Sequence, residues 1–550
     1  MAAAHENMAS DKALAPSSCR EEKEASNGVI SAEPSNQHSS TLSLSLIVGS
    51  IMLAVFLTTL DQTIVSTAIP KITDELHGLA QVSWYGAAYF LTLGAFRPFW
   101  GKVCKFFRMK PTFLLTIAIF ELGSLICGVA PNSTAFIIGR AITGVGGAGI
   151  ATGGTTIVAL HAFPKMRPMF MGFLGLAAAL GNITGPLLGG AFSDKITWRW
   201  CFYINLPFGA VVAGLILIFL KFETGAKATN AGWQQAFLHM DVVGIALTLS
   251  GMVCFILALE YGGVSYSWKS SQVIGLLVGF VLITTTLAFW ELHQGDHAML
   301  PWKLLQRRAI WTTCTFQFSF AGAYFVVLYY LPIYFQSIRG ASPLQSGVRN
   351  LPLVIAFGIS ILAGGFAVAA TGHATPFMAA GATLTCVSAG LFFSMGTETP
   401  AARWIGYQVL AGAAIAFPYM NCLSLAQAHV DDADIAVVSS VNQFFQTLGG
   451  AFSISAAQSA FVNRLLVALA STASGVDPTR VTEAGAAELR VVFSARELPS
   501  VISAYTEGLR AAFAVAIGMA GVAVIVSLLC PWSRLPTQKK GEEETGQNAA

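Results

Sequence analysis

Apolar residues run along this chain in blocks of about twenty, the length that crosses a bilayer as a helix, with short polar interruptions between them. Taken as spans, the blocks fall at 44–66, 82–101, 112–130, 134–158, 168–192 and 200–220, then at 241–261 and 272–291. The remainder lie at 311–335, 347–369, 376–396, 404–426, 436–461 and 511–530. About fourteen transmembrane helices follow, grouped six, two and six. The pattern predicts an all-α polytopic membrane protein with a disordered tail over 1–43 and a six-helix bundle over 44–220. A linker with two extra spans over 221–310 leads to a second six-helix bundle over 311–530, with a hydrophilic outer loop at 463–509 and a final tail over 531–550. Two bundles joined in this way suit a transporter whose halves rock against each other.

Within the fifth span, Gly181, Gly185 and Gly189 recur every four residues and share one helix face. A smooth face of this kind lets a partner helix approach to backbone contact. Pro186 removes one backbone donor, and with Gly190 it predicts a closely packed helix that can still bend. Ser342, Pro343 and Gln345 read as the N-terminus of a further short helix, and the acidic run after the twelfth span as a cap for the thirteenth.

Composition agrees with an oily environment: hydrophobic residues make up 54% of the 550 and charged residues 11%. Mean hydropathy is +0.64. The nine cysteines are dispersed and form no CxxC, so neither a disulfide framework nor a metal site is expected. The net charge of +3 carries no basic patch with interleaved aromatics, so nucleic acid is not an expected partner. Basic residues gather in the loops after spans two, four and eight and in the last tail, among them Lys102, Lys105, Arg108, Lys110, Lys165, Arg167, Arg307 and Arg308. By the positive-inside rule both termini are cytoplasmic. Asn132 opens a glycosylation sequon in the short outer loop between spans three and four.

An ionised side chain at mid-bilayer costs at least about 2.5–3.5 kcal/mol, so each one needs a reason. Asp61 in span one and Arg140 in span four both fall in the outer part of the hydrocarbon core. Pairing there would make Asp61 a protonation site whose proton affinity depends on how near Arg140 lies. Glu121 near the middle of span three either lines a cavity and protonates or sits neutral between helices. Arg97 and Glu260 lie near span ends, where snorkelling accounts for them. Uncharged polar residues inside spans (Gln62, Asn182, Gln317, Asn421, Gln443) join helices or line the substrate cavity, and Tyr329 belongs to an interfacial belt or to that cavity.

Five stretches then occur in a telling order: LDQTIVSTAIP, GKVCKFFRMK, GRAITGVGGAG, GNITGPLLGG and WRWCFYINLPFG. Together they resemble the major facilitator superfamily, and within it the fourteen-span drug:proton antiporter branch with its fungal multidrug and mycotoxin efflux pumps. The resemblance implies proton-coupling roles for Asp61 and Arg140, and a bending and leak-controlling role for Gly181, Gly185, Pro186, Gly189 and Gly190. It identifies the stretch carrying Gly101, Lys105, Arg108 and Lys110 as the gating loop. That loop departs from the family's usual GxLaDrxGRK pattern: no carboxylate follows Gly101, so the resemblance carries over no inside-gate ion pair from this loop.

The expected function is proton-coupled efflux of amphipathic small molecules, such as a fungal secondary metabolite, toxin or drug, by alternating access at the plasma membrane. No GxxxxGK[ST] occurs, so ATP is not an expected partner and no cofactor beyond the proton gradient is expected. A monomer in the lipid bilayer suffices. One rival is proton-coupled uptake of a siderophore or nutrient. Another is a membrane-embedded transferase, for which the sequence lacks a second cluster of catalytic residues.

Overall fold

A computed structural model describes residues 41–76, 82–220, 240–263, 266–472, 476–477, 480–481 and 489–535. The first tail up to residue 40, most of the linker before residue 240, parts of the outer loop and the last tail beyond 535 lie outside the described residues.

The long helices of the first half are α1 (Thr41–Leu76), α2 (Val82–Phe106), α3 (Met109–Val129), α4 (Ser133–His161), α5 (Arg167–Lys195) and α6 (Asn205–Phe219). Two more, α7 (Val242–Tyr261) and α8 (Ser271–Gln294), form a hairpin. The second half contributes α9 (Arg308–Ser337), α10 (Leu351–Thr371), α11 (Thr375–Phe393), α12 (Ala401–Ala428), α13 (Ile435–Thr472) and α14 (Leu498–Leu529). Among the described residues, 13 helical segments are long and apolar enough to cross a membrane. The long helix outside that set is α2, whose Trp, Tyr, Gly and Arg residues lower its hydropathy.

Caps fix several helix starts. Asn132 accepts the Ala135 amide at 2.9 Å to open α4, and Asp241 accepts that of Gly244 at 2.8 Å to open α7. Ser342 and Gln345 form the capping box expected of the short helix Pro343–Arg349. The sequon residue Asn132 therefore has a structural task of its own.

Helices overrun the predicted spans at several ends. α1 continues to Leu76, α13 to Thr472, and α14 begins at Leu498 rather than at 511. The hydrophilic outer loop drawn over 463–509 is therefore helical at both ends. Hydropathy registers oil, not helix. These extensions bury Leu465, Leu469, Val501 and Ala504 among themselves while Glu507 pairs with Arg510 at 2.7 Å. At the same end of α1, Trp198 donates its indole proton to Glu75 at 2.6 Å and Arg199 adds a contact at 2.9 Å. Those two hydrogen bonds, Trp198 first, hold the Glu75 carboxyl below its ordinary range.

α1 packs along α5 while α3 and α2 pack on α4, and in the second half α9, α11 and α13 surround α14 while α10 lies on α12. The two halves meet along two seams, α5 on α10 and α2 on α13. The α7–α8 hairpin leans on α2 and α13 and leaves one face of α8 open, with Val281, Leu282 and Phe289 exposed as a lipid-facing surface would be. At Gly181, Gly185 and Gly189 a Cβ would run into Thr59, Thr63 and Thr67 of α1, so the predicted smooth face is the α1–α5 contact. Gly190 points elsewhere, with nothing within 4 Å of its Cβ position.

Candidate functional site: a buried ion pair and a latched bundle seam

Asp61 and Arg140 are both fully buried, and Arg140 Nη1 donates to Asp61 Oδ2 at 2.5 Å. Every neighbour of this pair helps to hold it. Asn205, at the start of α6, donates to Asp61 Oδ1 at 3.3 Å and to Ser124 of α3 at 3.1 Å. Arg140 Nε donates to the Tyr85 carbonyl at 3.0 Å, and the guanidinium lies 4.6 Å from the Tyr89 ring centroid. Tyr89 in turn donates to the Thr58 carbonyl at 3.2 Å. Four helices, α1, α2, α4 and α6, thus converge on one neutralised pair, which explains how two charges persist in oil. Two buried atoms of this network, Arg140 Nη2 and Asn205 Oδ1, have no hydrogen-bond partner among the described residues.

Glu121 sits close by but not in the pair. Three residues before Ser124 on α3, it lies over Gly209 of α6, where a Cβ would collide with its carboxyl. A cavity of about 10 Å³ adjoins it, lined otherwise by apolar side chains including Leu57, Phe120 and Val212. That is room for roughly one water. Neither carboxyl oxygen has a hydrogen-bond partner.

The second feature lies where the bundles meet, at the end that carries the basic loops. Lys105 Nζ of α2 donates to Asp434 at 2.7 Å, and Arg167 at the start of α5 approaches Asp432 at 3.6 Å. The acidic run forms a single 3-10 turn over Asp432–Asp434 immediately before α13, and Asp432 and Asp434 reach across to the other bundle. The stretch after Gly101, which has no carboxylate of its own, thus meets one from the opposite bundle. Gly101 lies so close to Ser440 that no side chain would fit. Lys110 donates to the Leu217 carbonyl at 2.7 Å, and Arg108 is exposed at the start of α3.

Arg97 corrects the snorkelling reading. Only 8% exposed, it donates to the Gln443 carbonyl at 2.5 Å and reaches Gln446 Oε1 at 3.5 Å, both on α13. Gln443 also donates to Thr155 of α4 at 2.8 Å.

The other cavity candidates have differing surroundings. Gln62 lies beside the Tyr89 phenol, whereas Asn182 is on α5 and half-buried. Gln317 is buried with Oε1 unpartnered, Asn421 turns back to the Phe417 carbonyl of its own helix at 2.7 Å, and Tyr329 is 54% exposed. Asn205 and Tyr89 were missed in sequence. The available signal was Asn205 opening an apolar helix directly after WRWCFYI, where an amide needs a polar partner.

Residues 51–454 match the family model described as Major Facilitator Superfamily. Among curated relatives, the chain is 55% identical over 487 residues to "MFS-type transporter thnB" of Trichoderma harzianum, covering 88% of this chain and 84% of that protein. It is 51% identical over 504 residues to "MFS-type transporter grgE" of a Penicillium species, covering 92% and 89%. Identity to "MFS-type efflux pump MFS1" of Trichophyton rubrum is 40% over 517 residues, covering 94% and 96%. Among solved structures, that of the proton:xylose symporter XylE bound to 6-bromo-6-deoxy-D-glucose has the same fold, with a TM-score of 0.58 at 13% identity, covering 88% of this chain and 95% of that one. The chain belongs to the major facilitator superfamily: it is a multi-pass membrane transporter and not an enzyme, and some of its relatives are named efflux pumps.

Proposed function

We propose that this protein exports amphipathic small molecules in exchange for protons by alternating access, with both termini cytoplasmic in the plasma membrane. The observation that carries the reading is the Asp61–Arg140 pair, buried at 2.5 Å among four helices. Protonating Asp61 removes the counter-charge of Arg140 and changes what those helices hold in common, so hydrogen-ion binding acts directly on the packing of the first bundle. Glu121, one helical turn along α3 from Ser124, is the second carboxyl of this interior and the reserve position for a proton. The proton gradient is the driving force, no cofactor takes part, and a single chain is the working unit.

With the basic loops on the cytoplasmic side, the contacts of Lys105 with Asp434 and Arg167 with Asp432 close the cytoplasmic end in this structure. Export then alternates this state with one in which that end parts, and the α1–α5 glycine contact is where the first bundle can bend. Relatives named efflux pumps support the outward direction over uptake.

The test uses purified protein in sealed vesicles loaded with the pH dye pyranine and challenged with a cationic, a neutral and an anionic dye: rhodamine 6G, N-phenyl-1-naphthylamine and 8-anilino-1-naphthalenesulfonate. Wild type should couple dye movement to lumenal pH. Asp61→Asn should still bind dye but lose the pH response. An Asp61→Asn protein that couples like wild type would remove Asp61 from the mechanism, and wild-type vesicles that move neither dye nor protons would overturn the export reading.

A further inference from the structure

A buried arginine at the meeting of two moving bundles ought to have a carboxylate beside it. Arg97 has none: among the described residues its partners are the Gln443 carbonyl and the Gln446 amide oxygen, and its Nε has no hydrogen-bond partner. The titratable groups within its electrostatic reach among the described residues are the phenols of Tyr419 on α12 and Tyr89 on α2. A cation held in this way has its charge solvated by dipoles but not neutralised.

Tyr419 also joins Arg97 to an aromatic wall. Its ring meets Tyr324 of α9 edge-on at 5.6 Å and Phe357 of α10 at 5.6 Å, while Tyr324 and Phe357 stack at 6.1 Å and 11°. Tyr419, within electrostatic reach of that guanidinium, thus belongs to a ring cluster drawn from three helices of the second bundle. Planar apolar bodies pack on such rings, and a guanidinium offers paired donors to a carboxylate, sulfonate or phenolate.

We propose that Arg97 is the anion-binding residue of the substrate site and that the cargo is an aromatic organic anion, its charged head on Arg97 and its flat body on Tyr324, Phe357 and Tyr419. This rests on the export reading and names its substrate class. It also supplies a release step. The carbonyl and amide oxygens that hold Arg97 here belong to α13 of the opposite bundle, and Gly101 abuts Ser440 one turn further along the same seam. When the bundles part at that end, Gln443 and Gln446 move away and Arg97 is left to take an anion. When they close again, α13 returns its oxygens to the guanidinium and displaces the anion. The substrate and the Gln443 carbonyl thus compete for one cation, and closure of the gate drives release.

The discriminating probes share one skeleton: 8-anilino-1-naphthalenesulfonate and its uncharged relative N-phenyl-1-naphthylamine. Binding to wild type, Arg97→Gln and Arg97→Lys is measured by fluorescence in proteoliposomes, with thermal unfolding of each variant as the fold control. Wild type should bind the sulfonate at least tenfold more tightly than the neutral amine. Arg97→Gln should lose about tenfold for the sulfonate and stay within about twofold for the amine, and Arg97→Lys should recover part of the loss. A wild type without preference for the anion overturns the proposal, and so does an Arg97→Gln protein that loses both probes equally, as a purely structural latch would. Dye-driven proton movement that survives in either case leaves the export reading standing.

Discussion

Buried charge is unevenly divided between the two bundles, whereas buried rings occur in both. The first places Asp61, Arg140 and Glu121 inside its helix packing, while α9–α14 of the second pack Tyr324, Tyr330, Tyr334, Phe335 and Phe357 together with amides such as Gln317, Gln408, Asn421 and Asn442. Among the described residues no Asp, Glu, Lys or Arg of α9–α14 is buried. An ion in oil responds to the arrival of a proton, whereas rings and amides keep their charge state and respond only to shape. In the proposed exchange the contrast gives the two tasks to different halves: the first bundle senses the proton, the second supplies most of the surface for a flat cargo, and Arg97 lies on the boundary.

The sharpest way to break that comparison is to delete one member of the ion pair. Arg140→Ala leaves the Asp61 carboxylate buried beside a void, and losing one partner of a buried pair costs about 3–5 kcal/mol. Thermal unfolding of purified protein should show a large drop. Arg140→Gln combined with Asp61→Asn should recover part of it, since no charge is then left unpaired. An Arg140→Ala protein as stable as wild type would mean that the first bundle does not depend on its charges.

The converse substitution belongs to the second bundle. Gln408 is fully buried, and neither atom of its amide finds a partner. A buried polar group without a hydrogen bond costs about 1–3 kcal/mol, so Gln408→Leu, similar in size, should raise stability by about 1–2 kcal/mol while leaving proton coupling intact. If it lowers stability instead, the second bundle uses its amides as the first uses its charges, and the division fails.

Asp61 and Arg140 also mark what could be read in the sequence. Blocks of about twenty apolar residues announce membrane helices directly, because bilayer thickness sets their length. Asp61 and Arg140 stood out for the same reason: a charge in an apolar run is a rare event whose counter-charge must be near. Arg97 was misread because depth along a span was judged by counting residues. Its 8% exposure comes from α13, a helix some 350 positions away in sequence whose approach hydropathy does not reveal. The same holds for Asp434. In sequence it was an acidic run with a local capping role, and only the meeting of α2 with the start of α13 made it the partner of Lys105. Local patterns predicted elements and intra-bundle charges, whereas contacts between the halves depend on how two bundles dock.

That docking contact yields the smallest effect and the finest test. The side chains of Lys105 and Asp434 keep 35% and 21% of their exposure, so their pairing is worth about 0–1 kcal/mol. Too weak to matter for folding, it is large enough to matter for an equilibrium between open and closed, where 1 kcal/mol is about a fivefold change in ratio. Ser440, fully buried beneath Gly101, offers the reporter. In a Ser440→Cys background, a water-soluble maleimide should label the new thiol only when the end carrying the basic loops opens. Lys105→Glu places two acids face to face and should speed labelling about two- to fivefold, with added salt shrinking the difference. The reversed pair, Lys105→Glu with Asp434→Lys, should return labelling toward the parent rate, because the attraction is restored with its signs exchanged. Labelling that stays fast in the reversed pair would show that the Asp432–Asp434 turn holds the bundles by its shape, and the charges would then be passengers on a seam closed by Gly101, Arg97 and Gln443.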